Sequence, residues 1–158
     1  MRIRPSTKAD LAAVDALLAR SYPKLLKADY PPSVLVTALP IICRAQPALL
    51  ACGTYYVAER DDAILGAGGW TRDRKDNALG HIRHVVSDDR ALRRGIGRAL
   101  MQRSFDGARA AGVTRMECWA TRTAERFYQA VGFETLGPFD VILQDGIVFP
   151  SIRMTRAL

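Results

Sequence analysis

The beginning of the chain has the pattern of a short strand followed by an amphipathic helix. Ile3 falls in the strand, and Thr7 with Asp10 three residues later forms a carboxylate version of the capping box that starts a helix. Valine and leucine then recur at helical spacing, at Leu11, Val14, Leu17 and Leu18. This spacing places the four side chains on one face, so we expect that face to pack against the core.

The segment from Tyr22 to Cys52 has no regular period. It contains several prolines, at Pro23, Pro31, Pro32, Pro40 and Pro47. Because proline lacks an amide hydrogen and clashes with the preceding helical turn, the segment is predicted to contain no long element. A short helix from Ser33 to about Leu39 is the element that the pattern favours.

Beyond Cys52, strand-like and helix-like patterns alternate. A first hairpin is predicted from strands at 55–59 and 64–70 around the turn at 60–63. The remaining predicted elements are a strand at 81–87, a helix at 95–111, a strand at 115–120, a helix at 124–131 and a final hairpin with strands at 136–143 and 147–155. The order β-α-α-β-β-β-α-β-α-β-β predicts an α/β fold with a mixed sheet and helices on its faces.

The length and composition fit one globular domain over residues 1–158, because 49% of the residues are hydrophobic and 25% are charged. No apolar run approaches the roughly 18–20 residues of a membrane-spanning helix, and Met1–Lys8 lacks the apolar stretch of a signal peptide. The cysteines, Cys43, Cys52 and Cys118, form no CxxC pair, which indicates neither a disulfide framework nor a metal site. We therefore expect a cytoplasmic protein without a membrane partner.

Positive charge is concentrated in the second half of the chain. The formal net charge is +7, and residues 90–126 contain nine arginines but only Asp106, Glu117 and Glu125 as acidic residues. Guanidinium groups at this density favour a polyanionic ligand, although a solvated helix face gives the same pattern. A nucleic-acid surface is a third alternative, but the sequence has no basic repeat with interleaved aromatic residues to support it.

The strand that ends near Ser87 leads through a loop into a helix whose first turn contains Gly95 and Gly97. The first amide groups of a helix have no partner within the helix and carry the positive end of its dipole. Glycine lets an anion approach this backbone closely, so the segment predicts a phosphate-binding site. The sequence has no Walker A loop, and Leu100 replaces the third glycine of a dinucleotide fingerprint.

Two segments together resemble the GNAT superfamily of acetyl-CoA-dependent N-acetyltransferases. The first is Ile82–Ala99, with Arg-Arg-Gly-Ile-Gly after a strand, and the second is Phe127-Tyr128-Gln-Ala-Val-Gly-Phe133. The resemblance is specific over residues 55–135, and it departs from the family motif at Leu92, where Gln or Arg is usual. It implies a mixed, mostly antiparallel sheet in which a bulge splays the central strands apart and opens a V-shaped cleft for the cofactor.

The resemblance also implies which residues bind the acyl donor, acetyl-CoA, and its product coenzyme A. Val85, Val86 and Ser87 would offer backbone groups to the pantetheine arm, although the two valines are equally compatible with ordinary sheet core. The pyrophosphate would be surrounded by Arg93, Arg94, Gly95, Ile96, Gly97, Arg98 and Ala99. Phe127 would pack beside the cofactor.

By the same resemblance, the acetyl group passes directly to a primary amine, in a small molecule or a peptide, within a ternary complex. Tyr128 occupies the position of the family's acid for the departing thiolate, with packing under the cofactor as its alternative role. His81 stands where some members carry a glutamate base, and in a regular strand His84 would face the opposite side. Alternative bases are water, His84, Glu59 and Glu117. A covalent route through Cys118 is a further alternative.

The acceptor is not identified by the sequence. Aromatic residues of the first half of the chain would line its pocket or else belong to the core; they are Tyr22, Tyr30, Tyr55, Tyr56 and Trp70. A non-catalytic acyl-CoA-binding module is an alternative function with the same phosphate site. A homodimer is expected only because dimers are common in the family.

Overall fold

The computed structural model describes residues 1–92 and 94–158. The strands are β1 (Arg2–Pro5), β2 (Tyr55–Arg60), β3 (Ala63–Arg72), β4 (Leu79–Ser87), β5 (Arg115–Ala120), β6 (Glu134–Ile142) and β7 (Val148–Ala157). The helices are α1 (Leu11–Leu26), α2 (Pro32–Ile42), α3 (Pro47–Leu50), α4 (Ile96–Ala110) and α5 (Glu125–Ala130). Within the described residues, none of these helices is long and apolar enough to span a membrane.

The described strands form one seven-stranded sheet in the order β1-β2-β3-β4-β5-β7-β6. Neighbouring strands are antiparallel except for β4 and β5, which are parallel. This is the mixed, mostly antiparallel sheet that the resemblance implied, and the predicted order of elements is confirmed apart from the additional short helix α3. The capping box of Thr7 and Asp10 is also present, at a 3₁₀ turn that leads into α1.

The prediction that proline interrupts the segment from Tyr22 to Cys52 is wrong in two places. Helix α1 continues through Pro23, and α2 continues through Pro40. In α1, Tyr22 and Leu26 on either side of the proline are buried in the core, so packing outweighs the lost backbone hydrogen bond. Two other prolines of the segment begin α2 and α3, where an amide hydrogen would have no helical partner.

Helices cover both faces of the sheet, and each face has its own core. Helix α4 packs on one side, the α4 face, through the predicted apolar stripe of Ile96, Leu100, Met101, Phe105 and Ala108. Helices α1 and α2 cover the other side, the α1 face, where Val14, Leu17 and Leu18 of the predicted α1 stripe are buried. Among the described residues, the central part of the sheet is therefore covered on both faces, and a separation of strands offers a ligand a way into it.

Side-chain alternation decides which central residues reach which face. Ile82 on β4, and Met116 and Cys118 on β5, belong to the core of the α4 face. Successive side chains of a strand point to opposite sides, so His81 and Glu117 point to the α1 face. These two residues are directly paired across β4 and β5.

Candidate active site

Strands β4 and β5 separate in the middle of the sheet. They pair only where Leu79–His81 lies beside Arg115–Glu117. Beyond this point β4 continues beside β3, whereas β5 continues beside β7. A gap therefore opens between the central strands from His81 and Glu117 onward, which is the V-shaped cleft that the resemblance implied.

A β-bulge lies on β4 beside this gap. The register of β3 with β4 shifts past Ala67, so that His84 and Val85 both face Gly68. His84 has a φ of 49°, a left-handed conformation that costs a non-glycine residue about 1 kcal/mol or more. The extra residue resets the alternation of side chains, because Val85 packs against the core of the α4 face and Val86 is buried in that of the α1 face.

Hydrogen bonds from two tyrosines and one histidine hold the bulge. The Tyr55 hydroxyl donates to the His84 carbonyl over 2.6 Å, and the Tyr22 hydroxyl donates to the Val85 carbonyl over 3.1 Å. The His84 Nε2 lies 2.7 Å from the Ile42 carbonyl, so this nitrogen carries a hydrogen and donates it. Because a trans peptide is planar, the Val85 N–H points away from the Tyr55 hydroxyl that binds the preceding carbonyl.

The bulge also explains where the two histidines lie. A regular strand would place them on opposite sides, but the His84 ring is 5.9 Å from the Tyr22 ring on the α1 face, the side to which His81 also points. Burial lowers the pKa of His84, which keeps the ring neutral with its donor on Ile42. His81 is therefore the histidine with a ring beside the start of the gap.

The beginning of α4 presents free backbone donors. Gly95 caps the helix with a φ of 75°, is exposed, and would carry a Cβ that meets nothing within 4 Å. The Ala99 N–H donates to the Gly95 carbonyl over 3.0 Å as the first hydrogen bond of the helix. The amides of Ile96, Gly97 and Arg98 precede that bond, and no described side chain caps them. These three N–H groups and the positive end of the helix dipole form a site for an anion.

Exposed arginines flank these amides. Arg94 and Arg98 are both exposed, and neither forms an ion pair within the part of the chain that the structure describes. Their guanidinium groups therefore remain available to a phosphate. Arg93, which was predicted to contact the same phosphates, lies outside the described residues.

Gly97 lets three elements meet at the beginning of α4. A Cβ at this position would lie 3.0 Å from the Phe127 ring and 3.5 Å from the Ser87 Oγ. Real Cβ atoms are rarely so close to a ring, so glycine here permits the contact between α4, α5 and the end of β4. Ser87 and Phe127, which were predicted to bind the cofactor, thus border the three free amides.

A buried carboxylate fixes the loop that joins β4 to α4. Asp88 accepts a hydrogen bond from Arg20 on α1 over 2.6 Å, and from the backbone N–H of Arg90 over 2.8 Å. The Arg90 guanidinium lies 3.1 Å from the same carboxylate. These contacts, led by the hydrogen bonds from Arg90, lower the pKa of Asp88 to about 2. The loop is thereby anchored to α1 just before the helix start.

Tyr128 lies at the gap on the α4 face. It is 5% exposed, packs against the Phe127 and Phe133 rings, and has the Cys118 thiol beside its hydroxyl. Cys118 follows Glu117, the last residue of β5 that pairs with β4. Burial raises the pKa of Tyr128 well above its ordinary value, and burial raises the pKa of Cys118 to about 12. Both groups therefore stay protonated near neutral pH, which opposes a covalent route through the thiol.

His81 and Glu117 each have a partner on the α1 face. The His81 Nε2 lies 2.8 Å from the Asp73 Oδ1, and Glu117 forms an ion pair with Arg153. The hydrogen bond from His81 is the main cause that lowers the pKa of Asp73 to about 2. An imidazole oriented by a carboxylate keeps its other nitrogen available to accept a proton.

Two groups of predicted candidates do not have the roles that were considered for them. The five aromatic residues considered for the acceptor pocket are all 8% exposed or less, so they belong to the core. Among them, Tyr56 and Trp70 pack on the α4 face beneath Gly107. Glu59 is bound by Arg4 at the β1–β2 edge of the sheet, three strands from β5, and is therefore not beside the gap.

Sequence reasoning missed Asp73, and it named Tyr22 and Tyr55 only as candidates for the acceptor pocket or the core, not as the hydroxyls that hold the bulge. Asp73 lies in a polar loop, where an aspartate that accepts backbone N–H bonds is an ordinary turn residue. Its proximity to His81 follows from closure of the β3–β4 hairpin, which pairs Thr71 with His81. A register prediction for this hairpin would have brought Asp73 to attention.

The sequence profile of the GNAT acetyltransferase domain matches residues 48–156. Among solved structures, a GCN5-related N-acetyltransferase from Rhodopseudomonas palustris has a TM-score of 0.78 and 18% identity, over 99% of this chain and 95% of that one. PaiA N-acetyltransferase from Thermoplasma acidophilum, solved with coenzyme A, has a TM-score of 0.77 and 13% identity, over 99% and 98%. Ribosomal-protein-alanine N-acetyltransferase from Brucella melitensis has a TM-score of 0.67 and 20% identity, with both chains fully covered.

Among proteins of curated function, none matches the chain significantly. At these identities the solved structures show a common fold, and the family rests on the domain profile, which spans more than half of the chain. The matched region contains the splayed strands, the bulge and the glycine-capped start of α4 described above. The chain belongs to the GNAT family of acetyltransferases.

Proposed function

We propose that this protein transfers the acetyl group of acetyl-CoA to a primary amine by direct attack within a ternary complex. One observation carries the proposal. The uncapped amides of Ile96, Gly97 and Arg98 open beside the end of the β4–β5 gap, so one extended ligand reaches both. Acetyl-CoA has the matching order of groups, with a pyrophosphate at one end and a thioester at the other.

The pyrophosphate binds the three amides, and Arg94 and Arg98 add charge on either side. The pantetheine arm runs along β4 past Val85, Val86 and Ser87, where β5 no longer pairs with that strand. In support, PaiA, which has the same fold, was solved with coenzyme A. The arm takes the place of the missing neighbouring strand and forms hydrogen bonds with the backbone groups of β4.

The residues at the gap supply the chemistry of transfer. The amine nitrogen attacks the thioester carbon, a C–N bond forms, and the C–S bond breaks. The Val85 N–H stabilises the negative charge that develops on the carbonyl oxygen. The protonated Tyr128 hydroxyl donates to the departing thiolate and is reprotonated from solvent.

His81 removes the proton that the attacking amine must lose. An amine attacks only as the neutral base, whereas at neutral pH a primary amine is mostly an ammonium ion. The Asp73 carboxylate holds the His81 Nε2, which leaves Nδ1 to accept the proton. The amine approaches His81 from the α1 face. The start of α4, at the other end of the gap, is occupied by the pyrophosphate.

The test replaces Gly95 with Glu, which places a negative side chain at the three amides. Gly112, at the other end of α4, provides the matched control, because it also has a positive φ and would meet nothing within 4 Å. Calorimetric titration with coenzyme A should show binding to wild type and to Gly112→Glu, and its loss in Gly95→Glu. Both variants should melt at similar temperatures, because both carry the same backbone strain.

Thiol release from acetyl-CoA with a panel of amines then separates the two functions that share this site. Acceleration by an amine supports the transferase. Coenzyme A binding without acceleration by any amine would identify a non-catalytic acyl-CoA-binding module instead. Tight coenzyme A binding by Gly95→Glu would contradict the phosphate site itself.

A further inference from the structure

The α1 face beside the gap carries two carboxylates that already have partners. The Asp73 Oδ1 lies 2.8 Å from the His81 Nε2, and its Oδ2 accepts two backbone N–H groups of the following turn, at 3.0 and 2.9 Å. Glu117 is paired with Arg153. Both carboxylates are therefore engaged, Asp73 by hydrogen bonds on both oxygens and Glu117 by an ion pair.

Arg83 on the same face is in the opposite situation. The side chain is half-buried, its Nε donates to the Thr71 Oγ1 over 2.9 Å, and among the described residues no carboxylate forms an ion pair with it. Burial lowers the pKa of Arg83 and the nearby Arg74 lowers it further, whereas the Asp73 carboxylate raises it. A guanidinium nevertheless stays charged in proteins. Asp73 forms no ion pair with Arg83 and is already bound by His81 and two backbone N–H groups, so it compensates this half-buried charge only in part, and an anion of the acceptor would compensate the rest.

The position of Arg83 relates this free guanidinium to the reaction. Arg83 follows His81 by two residues on the same face, so their Cα atoms are separated by about 7 Å along the strand. The next residue, His84, begins the bulge that positions the Val85 N–H. If Arg83 binds the carboxylate of an acceptor, an amino group one or two atoms from that carboxylate would lie between His81 and the thioester.

We propose that the acceptor is an amine that carries a carboxylate close to the amino group, as an amino acid does, and that Arg83 binds this carboxylate. The inference rests on the proposed function and names its substrate class. Polyamines are disfavoured as acceptors. Within the described part of this face, their second ammonium group would meet the positive charge of Arg83, and the carboxylates of Asp73 and Glu117 already have partners. The Trp119 ring, 43% exposed and 6.0 Å from the His81 ring, offers an apolar surface for the rest of the acceptor.

The test uses pairs of acceptors that differ only in the carboxylate. Phenylalanine is compared with 2-phenylethylamine, leucine with 3-methylbutylamine, and spermidine represents the polyamines. Wild type should have a kcat/KM for thiol release at least about tenfold higher with the amino acid of each pair, as a charge-assisted hydrogen bond provides. Arg83→Gln should remove this preference by lowering only the amino acid value, and Arg83→Lys should keep part of it because lysine lacks the planar fork.

Arg74→Gln is the matched control, because it removes a neighbouring exposed arginine and should leave the preference unchanged. Equal use of both members of each pair by wild type, or an unchanged preference in Arg83→Gln, would overturn the inference while the transferase stands. If no amine is acetylated, titration of phenylalanine into protein saturated with coenzyme A still decides the question. Binding that Arg83→Gln abolishes supports the carboxylate site, and absence of binding contradicts it.

Discussion

The two ends of the β4–β5 gap are built from different parts of the chain. At the start of α4 the proposed phosphate site consists of backbone N–H groups, opened by one glycine in a left-handed conformation. At the α1 face the proposed acceptor site consists of side chains, namely His81 and Arg83 on β4 with Asp73 from the preceding loop. The first site depends on a helix beginning at a particular residue, and the second on three side chains meeting through strand register.

This difference corresponds to the two ligands that the sites are proposed to bind. Backbone amides present the same donors whatever the side chains are, so they suit a pyrophosphate that is the same in every reaction. Side chains can be exchanged without altering the strands, so they suit an acceptor that differs between proteins of one fold. Substitutions at the first site should therefore abolish activity with every acceptor, and those at the second should alter it selectively.

Tyr128→Phe tests the gap between the two sites and has the largest expected effect on kcat. Without the hydroxyl, the departing thiolate has no positioned donor, so kcat should fall by about 10²-fold or more while the KM for acetyl-CoA changes little. The measurement is steady-state thiol release with the best amine of the panel. Tyr56→Phe is the matched control, because Tyr56 is a buried tyrosine of the same face that packs beneath Gly107, away from the gap. Equal kcat values for the two variants would assign Tyr128 to packing alone.

His81→Gln should lower kcat by about 10²-fold near neutral pH, because the ammonium group of the acceptor then lacks a positioned base. The deficit should shrink as the pH rises, since the acceptor loses its proton to solvent without help. A purely structural role for His81 would instead give a deficit that does not depend on pH. The full pH profiles of wild type and variant, measured with one amine, distinguish these outcomes.

Asp73→Asn should produce a smaller loss, about tenfold in kcat, because the amide orients the imidazole less well than the carboxylate does. Asp76→Asn is the control, since Asp76 binds a backbone N–H in the same turn and does not contact His81. Asp73 acts through His81, so the double variant with His81→Gln should be no slower than His81→Gln alone. A further tenfold loss in the double variant would mean that the two residues act independently.

The parts of the fold that were predicted well are those that local pattern determines. The limits of β5 and the apolar stripe of α4 follow from the period of hydrophobic residues, and the helix start follows from Gly95. Pro23 was misleading because its local effect is opposed by the burial of Tyr22 and Leu26, which depends on α1 packing against distant strands. Leu18, Tyr22 and Leu26 continue the helical spacing across Pro23, but this spacing alone does not show that their burial outweighs the effect of the proline.

The acceptor side was predicted poorly for the same reason. An aromatic side chain has the same local signature in a pocket and in a core, and burial assigned Tyr22 and Tyr55 to positions where only their hydroxyls act, on the bulge. Asp73 and Arg83 resemble ordinary polar residues until the β3–β4 pairing brings them beside His81. Contacts between residues on different strands are not encoded in any single segment.

Asp88→Asn tests the support of the phosphate site and should change stability more than catalysis. The carboxylate has a pKa of about 2 in the folded protein against an ordinary 3.8, which corresponds to about 2 kcal/mol of unfolding free energy. Above about pH 5 the group is ionised in both states and the stabilisation is complete. Between pH 5 and 2 the unfolded chain binds the proton first, so wild-type stability falls as the pH decreases, and below that range the contribution is gone. The variant lacks this group, so denaturant unfolding should find it about 2 kcal/mol less stable at pH 7 and closer to wild type at pH 2.

Asp106→Asn, which removes an exposed carboxylate beside Arg109, should run parallel to wild type at every pH. If Asp88→Asn also runs parallel to wild type, the Arg20–Asp88–Arg90 contacts do not stabilise the loop.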